Sequence, residues 1–210
     1  SFSEAVYDGR CRVEDVEGML VKSEAEAFDE IRKGNLPVMV DPLMKSSFEP
    51  FCIIDAIIAK KNLGTRKGMA PFVIALGPGF EAGVDADCVI ETKREHTLGR
   101  VIWKGSAIQN TGIPGIIAGY GAERVIHSPS DGTLHSLRSI GDIVSKGEII
   151  AYAGDEPVHA SIDGMLRGLI RDGFEVWKGM KIADIDPRGK DADYLTVSDK
   201  ALAIAGGVLE

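Results

Sequence analysis

Ser128–Tyr152, SPSDGTLHSLRSIGDIVSKGEIIAY, is repeated 32 residues later as Ala160–Asp184, ASIDGMLRGLIRDGFEVWKGMKIAD. Aligned without gaps, the two segments share ten of 25 residues: Asp131/Asp163, Gly132/Gly164, Leu134/Leu166, Leu137/Leu169, Gly141/Gly173, Val144/Val176, Lys146/Lys178, Gly147/Gly179, Ile150/Ile182 and Ala151/Ala183. Each copy has an Asp-Gly turn, a short strand, a Gly turn, a Lys-Gly turn and an apolar strand. Such a repeat predicts two similar β units that bury their apolar faces against each other.

The later half of each copy resembles the turn and strand of biotinyl/lipoyl-type barrel-sandwich hybrid domains. Gly141–Ala151 matches that motif closely and Gly173–Ala183 more loosely, which implies an all-β barrel-sandwich hybrid over residues 122–188. Carrier domains of this type present an acceptor lysine on the hairpin between the halves. Here that hairpin is Gly154-Asp-Glu-Pro157, and no lysine lies between Lys146 and Lys178. We therefore expect a structural or docking module rather than a carrier.

Residues 1–121 alternate apolar strands with a helix, which predicts an α/β region with an incomplete, Rossmann-like parallel sheet. Ser23 is the predicted N-cap of a helix that ends near Lys33, and a weak helical segment is predicted over Leu43–Pro50. The predicted strands are Gly18–Lys22, Leu36–Asp41, Phe51–Ala59, Pro71–Leu76, Asp87–Glu91 and Val101–Lys104. Residues 189–210 form a linker and a closing helix, capped by Ser198, that packs on the α/β part.

The net charge, the lengths of the apolar runs and the cysteines of the chain indicate which classes of function to expect. A formal charge of −8 argues against a nucleic-acid or membrane-surface partner. The chain has no run of 18 apolar residues and no basic-then-apolar leader. The three cysteines, Cys11, Cys52 and Cys88, are far apart and fit neither a disulfide framework nor a metal site. We therefore expect a cytoplasmic protein with free thiols and no metal.

One segment of this acidic chain is basic. Residues 56–121 contain eight Lys or Arg and five Asp or Glu. Asp55–Ala59 is predicted as a central strand, so Lys60–Arg66 follows its carboxyl end, where open α/β sheets bind ligands. Lys60, Lys61, Asn62, Thr65 and Arg66 could then cradle a phosphate or carboxylate. A lysine on the sheet edge beside a solvated one is the other interpretation.

Two further loops are candidate anion contacts. Gly77-Pro-Gly79 and Gly83 follow a strand, and glycines there let backbone N–H groups approach a phosphate. Pro78 has no N–H, so this is not a Rossmann fingerprint. His96 lies between Arg94 and Arg100, which combines a neutral-pH titrating group with bidentate anion binders. A surface hairpin of mixed charge is the alternative, and no catalytic cluster predicts a reaction.

Several motifs together resemble the YqeB-type accessory proteins of selenium-dependent molybdenum hydroxylases. They are Ala5–Gly9, Asp55–Thr65, Met69–Gly83, Glu91–Arg100, Asn110–Gly115, Leu166–Gly173 and Ile182–Arg188. The resemblance implies a role in maturing or delivering a labile selenium-containing or molybdopterin-dinucleotide cofactor. It also implies a molybdenum hydroxylase or a maturation factor as partner. Family members begin with a Gly-rich dinucleotide-type strand and loop that this sequence lacks, and the family's Arg-Gly-His reads Arg94-Glu95-His96.

The expected ligand is a molybdopterin dinucleotide or another nucleotide. The candidate binding residues are Lys60, Lys61, Asn62, Thr65, Arg66, Gly77, Gly79, Gly83, Arg94, His96, Arg100, Asn110 and Thr111. A non-catalytic scaffold that docks on a hydroxylase or on another maturation factor is the alternative function.

Overall fold

The computed structural model describes residues 1–112 and 115–210. The chain forms two compact units: unit 1 comprises Ser1–Asn110 and Leu195–Glu210, and unit 2 comprises Thr111–Tyr194. The predicted domain boundaries after residues 121 and 188 stay predictions. Ile113 and Pro114, within the motif Asn110–Gly115, lie outside the described residues.

Unit 1 begins with a small mixed sheet. Its elements are α1 (Ala5–Asp8), β1 (Arg10–Val13), β2 (Val16–Val21), α2 (Glu24–Arg32) and β3 (Leu36–Met39). Strand β2 is antiparallel to β1 and parallel to β3, with α2 as the crossover. The Ser23 hydroxyl accepts from the N–H of Glu26 at 3.2 Å, and the Glu26 carboxylate accepts from the N–H of Lys22 at 2.8 Å. The predicted strand near Gly18–Lys22, which is β2, and the predicted N-cap Ser23 are therefore confirmed.

A second sheet of unit 1 contains β4 (Cys52–Asp55), β5 (Phe72–Leu76), β7 (Cys88–Ile90) and β8 (Val101–Ile102), in the order β4-β5-β7-β8. Strands β4, β5 and β7 are parallel, and β8 is antiparallel to β7. A short antiparallel pair, β6 (Glu81–Ala82) and β9 (Gly105–Ser106), lies beside it. The middle strands are buried almost throughout, as their continuous apolar sequences require. The parallel strands are compatible with a Rossmann-like region.

Two predicted elements of unit 1 are wrong. Leu43–Pro50 is irregular rather than helical, because the Asp41 carboxylate accepts the N–H groups of Lys45 and Ser46, both at 2.8 Å. The strand predicted over Phe51–Ala59 ends at Asp55, whose carboxylate accepts the Ile57 N–H at 3.1 Å. Strands β3 and β4 also belong to different sheets, so the predicted strand–helix–strand series does not build one sheet.

The C-terminal helix α3 (Asp199–Leu209) packs on the second sheet, as predicted. The Ser198 hydroxyl accepts from the N–H of Ala201 at 3.2 Å. Ile204 and Val208 pack against a cluster formed by β5 and β7. A Cβ on Gly207 would lie 2.1 Å from the carbonyl oxygen of Gly99, so the helix backbone lies directly on the loop before β8. No helix within 1–112 or 115–210 is long and apolar enough to cross a membrane.

Unit 2 consists of two four-stranded antiparallel sheets. The first has the order β10-β17-β15-β12 and the second β14-β13-β11-β16. Their strands are β10 (Val125–His127), β11 (Gly132–Ser136), β12 (Ile143–Val144), β13 (Ile149–Ala153), β14 (Glu156–His159), β15 (Gly164–Leu169), β16 (Glu175–Val176) and β17 (Lys181–Asp186). Residues from both sheets form one apolar core. The sheets are open, and the barrel-sandwich hybrid stays a prediction.

The two repeats are joined by exchanged strands. Strand β11 pairs with β13 of its own copy and with β16 of the other copy. In the equivalent positions, β15 pairs with β17 of its own copy and with β12 of the other. The second strand of each copy therefore pairs in the sheet of the other copy, and neither sheet is complete without both copies.

The exchange extends to side chains and turns. The Asp131 carboxylate accepts the Lys178 N–H at 2.7 Å, and the equivalent Asp163 accepts the Lys146 N–H at 2.7 Å. Equivalent backbone bonds, given as donor and acceptor, are Gly147 to Ala160 and Gly179 to Ser128, Gly141 to Leu166 and Gly173 to Leu134, and Ala160 to Glu148 and Ser128 to Met180. The predicted Asp-Gly turn of each copy thus supplies hydrogen-bond acceptors for the backbone N–H groups of the Lys-Gly turn in the other copy.

A buried ionic cluster marks where the copies differ. Asp186 is fully buried, and the equivalent position in the first copy is Gly154. The Arg188 guanidinium donates to both Asp186 oxygens, at 2.9 and 2.7 Å, and Arg167 donates to one of them at 3.1 Å. The hydrogen bonds from Arg188, assisted by Arg167, hold the pKa of the Asp186 carboxyl well below its usual range. These two arginines are therefore structural cations of unit 2.

Gly164→Ala should destabilise the protein far more than Gly147→Ala. A Cβ at Gly164 would lie 2.3 Å from the Asp186 carbonyl oxygen, whereas at Gly147 nothing lies within 4 Å. We expect Gly164→Ala to lower the free energy of unfolding by about 3 kcal/mol. Gly147→Ala, which carries only the strain of a φ of 85°, should lower it by about 1 kcal/mol. Urea unfolding measures both, and equal losses would contradict close packing between β15 and β17.

Candidate functional site

The parallel strands of unit 1 place three loops where their carboxyl ends meet, which we call the carboxyl edge of the sheet. Asp55 ends β4, Gly77 follows β5 and Glu91 follows β7, so all three lie at the carboxyl ends of parallel neighbours. Ligands of open α/β sheets bind outside these ends. This edge is therefore the position at which the fold favours a ligand.

The loop after β4 folds back onto Asp55, which is buried. The Thr65 hydroxyl donates to its carboxylate at 2.6 Å. The Asn62 side chain accepts from the Gly64 N–H and donates to the Thr65 carbonyl oxygen, both at 2.8 Å. The side chains of Asn62 and Thr65, which were predicted to contact an anion, thus make hydrogen bonds that hold the loop in shape. Their roles in binding a ligand stay predictions.

Lys60 and Lys61 are carried at the top of this loop and are exposed. Neither ammonium group makes an ion pair or a hydrogen bond within the described part of the chain. The prediction that Lys60 directly follows a central strand is wrong, because β4 is an edge strand and ends five residues earlier. Lys60 itself has a φ of 61°, which belongs to a turn and not to a strand.

Gly77 and Gly79 allow neighbouring loops to approach. A Cβ on Gly79 would lie 2.5 Å from the Lys61 Cα, and one on Gly77 would lie 2.6 Å from the Thr92 hydroxyl oxygen. These glycines therefore bring the loop of Lys61, the turn after β5 and the start of the loop after β7 into contact. A direct bond from their N–H groups to a phosphate stays a prediction.

The loop after β7 is built on a buried carboxylate. The oxygens of Glu91, which is 2% exposed, accept the N–H groups of Lys93 and Ile108, both at 2.8 Å. Further along this loop, the Arg94 guanidinium donates to both carboxylate oxygens of Asp199, one of them at 2.8 Å. This bidentate pair ties the loop to the first turn of α3. His96 and Arg100 are exposed in the same loop.

Lys200, next to Asp199 on α3, was not predicted to contribute to the site. It is half-buried, and its ammonium lies within electrostatic range of Arg94, Lys60 and Glu91. Burial lowers the pKa of Lys200, the cations Arg94 and Lys60 lower it further, and Glu91 partly opposes them. One sequence signal was present: a lysine in the first turn of a helix opposes the helix dipole.

We call Lys60, Arg94 and Lys200 the cation cluster. Its members come from the loop after β4, the loop after β7 and the first turn of α3. Ammonium and guanidinium groups that converge in this way suit a phosphate or carboxylate ligand.

The remaining predicted residues lie elsewhere. Gly83 precedes Asp87, whose carboxylate accepts the Val73 N–H at 2.8 Å, so this turn leads to the amino end of β7. Arg66 adjoins Lys67, which pairs with Asp87 at 2.9 Å. Gly83 thus lies toward the amino ends of the strands, whereas Arg66 lies between Thr65, which bonds Asp55 at the carboxyl end of β4, and Lys67. Asn110 is the last residue of unit 1 in this region and Thr111 the first of unit 2; both are exposed.

Unit 1 also has a cavity of about 780 Å³ at the carboxyl ends of β2 and β3. Its walls include Glu24 and Asp41, whose carboxylates accept backbone N–H groups of Ser47 and of Lys45 and Ser46. The walls also include Lys22 and Lys45, so the lining has no excess of positive charge to attract an anion. The described residues contain no group of three His, Cys, Asp or Glu that could hold a metal ion. The cation cluster is therefore the better candidate.

Comparison with known proteins relates the whole chain to one curated protein. It is 51% identical over 212 residues to a protein of Escherichia coli (strain K12) named "Uncharacterized protein YqeB". This identity supports a YqeB-type family. The chain spans about two fifths (39%) of that protein's length. No protein-family model matches the chain.

Solved structures resemble only part of the chain. An aspartoacylase family protein from Mesorhizobium loti is 17% identical, with 40% of this chain and 27% of that chain covered and a TM-score of 0.29. The product-bound ectoine utilization protein EutE (DoeB) from Ruegeria pomeroyi is 18% identical, with the same coverage and a TM-score of 0.29. These TM-scores are too low to support any statement about fold or function.

Lys200→Met should change how stability depends on pH. Because the folded-state pKa of Lys200 is below its ordinary value of 10.5, the unfolded chain binds more protons between those two values. Lys200 therefore lowers stability near neutral pH, and this penalty is lost as the pH rises through its folded-state pKa toward 10.5. Lys200→Met should be more stable than the parent at neutral pH, and the difference should shrink at alkaline pH.

Urea unfolding across this pH range measures the difference between the two proteins. Lys104→Met is the control, because Lys104 is exposed and follows β8 at the amino end of β7. A stability difference for Lys200→Met that does not vary with pH would contradict the lowered pKa of Lys200.

Proposed function

We propose that this chain is an accessory protein in the maturation of selenium-dependent molybdenum hydroxylases. In this proposal, unit 1 binds the anionic part of a molybdopterin dinucleotide or another nucleotide-type cofactor and passes it on. The motifs that resemble the YqeB-type accessory proteins support the role, and 51% identity to an uncharacterized YqeB protein along the whole chain supports the family. The observation that carries the binding part is the cation cluster at the carboxyl edge of the parallel sheet.

The charge distribution favours an anionic ligand at this edge. The protein has a net charge of −8, yet Lys60 and Lys61 lie together there without carboxylate partners among the described residues. Glu91 is a buried acid at this edge, and both of its oxygens already accept backbone N–H groups. A phosphate that reached the edge would gain charge-assisted hydrogen bonds, each worth about 1.5–3 kcal/mol.

The proposal also assigns unit 2 the barrel-sandwich hybrid fold in a non-carrier form. The exchange of strands and of equivalent hydrogen bonds between the two copies supports this fold. The turn between β13 and β14 is Gly154-Asp155, which offers no amine for acylation. Unit 2 would then serve for docking.

Titration calorimetry tests cofactor binding. We expect at least one of molybdopterin cytosine dinucleotide, CTP and NAD to bind the intact protein. Lys60→Ala and Lys61→Ala should each weaken that affinity about tenfold, the equivalent of one charge-assisted bond. Lys104→Ala, at the other end of the sheet, should leave it unchanged. If all three compounds bind more weakly than about 1 mM, which corresponds to roughly 4 kcal/mol, the cofactor role is wrong.

A docking function for the whole chain is the second candidate, and one asymmetry of the repeat favours it. Phe174 and Trp177 are 44% and 60% exposed. The equivalent positions of the first copy hold Asp142 and Ser145. Exposed aromatic residues, tryptophan above all, are typical centres of protein interfaces. The second copy therefore presents two exposed aromatic side chains at positions where the first copy is polar.

Replacing these residues by their counterparts tests the docking function. Phe174→Asp with Trp177→Ser uses side chains that the same turn already accommodates in the first copy, so stability should change by less than about 0.5 kcal/mol. We expect the double variant to lose retention of a purified selenium-dependent molybdenum hydroxylase in a pull-down. Ile140→Asp, which copies Asp172 onto an exposed position of the first copy, is the control. Undiminished retention of the hydroxylase by the double variant would argue against docking through this surface.

A further inference from the structure

The C-terminal helix α3 has a fixed position on the loop after β7. Arg94 and Asp199 form a bidentate pair although they are 105 residues apart in the chain. A Cβ on Gly99 would lie 2.3 Å from the Ala203 carbonyl oxygen, so loop and helix backbones are in direct contact. Lys200 follows Asp199 and is therefore held beside the carboxyl edge of the sheet.

Lys200 is held there without a carboxylate of its own. It makes no ion pair or hydrogen bond within residues 1–112 and 115–210, and each carboxylate oxygen of Glu91, the acid within its range, accepts a backbone N–H group. Asp199, its neighbour, is engaged by Arg94. Packing alone does not require a lysine at this position, because the apolar contacts of α3 with the sheet involve Ile204 and Val208.

We propose that Lys200, with Lys60 and Arg94, binds a pyrophosphate group, and that α3 is thereby part of the ligand site of unit 1. Two ammonium groups from separate segments, with a guanidinium between loop and helix, match the two negative charges of a pyrophosphate diester. A pyrophosphate diester is the chemical group that all dinucleotides share. The inference therefore deepens the proposed function and rests on it for the cofactor class.

The electrostatics of the cluster also favour an anion. Arg94 and Lys60 lower the pKa of Lys200, although Asp199 pairs with Arg94 and Glu91 partly opposes the two cations. An anion between them would replace repulsion by attraction at a half-buried position, where charges interact more strongly than in bulk water. Binding should accordingly raise the melting temperature of the intact protein.

Calorimetry with inorganic pyrophosphate, orthophosphate and NAD tests the assignment. We expect pyrophosphate to bind more tightly than orthophosphate, and Lys200→Ala to weaken pyrophosphate binding at least tenfold. Lys200→Arg, which keeps the charge, should retain affinity within about threefold. Lys104→Ala should bind as the parent does. Raising the pH toward 10.5 should weaken binding to the parent more than to Lys200→Arg, because only the lysine loses its proton in that range.

Two results would overturn the inference: pyrophosphate affinity that is unchanged in Lys200→Ala, or an equal loss in Lys104→Ala, which would indicate a non-specific charge effect. Its failure is distinguishable from that of the proposed function. If a dinucleotide binds and Lys200→Ala does not weaken it, the cofactor role stands and the role of α3 is wrong. If pyrophosphate binding depends on Lys200 but no nucleotide or dinucleotide binds, the anion site stands and the cofactor role is wrong.

Discussion

Both units depend on backbone segments that approach too closely to leave room for a side chain. In unit 2, Gly164 lies against the carbonyl of Asp186 and so permits the β15–β17 pairing that completes one sheet. In unit 1, Gly79 lies against Lys61, and Gly99 against Ala203 of α3. Because a peptide backbone can pack this closely only at glycine, these contacts fix the loops on which the cation cluster is carried. The geometry of the candidate site is thus a consequence of packing.

Lys200 is the charge at the carboxyl edge of the sheet that the fold disfavours, because burial and the neighbouring cations lower its pKa. Acids near the edge satisfy backbone donors or tie segments together, as Asp55, Glu91 and Asp199 do. Lys60 and Lys200 gain nothing comparable from the fold. In unit 2, by contrast, the buried Asp186 is paired with both Arg167 and Arg188. Ionisable groups whose pKa is shifted by burial and by neighbouring charges are concentrated at functional sites, and Lys200 is such a group.

Unit 2 combines a symmetric backbone with asymmetric side chains. Equivalent turns of the two copies exchange equivalent hydrogen bonds, so the backbone constrains both copies alike. Positions that point away from the exchange are free to differ, and there the second copy carries Trp177 where the first has Ser145. Asp186 replaces Gly154 in the same way and recruits its own arginines. A duplicated fold can thus keep the same core in both copies while one copy alone carries particular exposed side chains, such as Trp177.

The sequence by itself determined the features whose causes are local. The repeat, the caps at Ser23 and Ser198, and the buried strands β5 and β7 follow from turn residues, capping side chains and apolar runs, which act within a few positions. Tertiary structure decided the rest. Asp55 ends β4 through its own side chain, and Lys200 joins Lys60 and Arg94 only because α3 docks on a loop about 100 residues earlier. Sequence patterns predict that such a helix packs on the sheet, but not which residues then meet, because the pairing of distant segments depends on the shape of the completed fold.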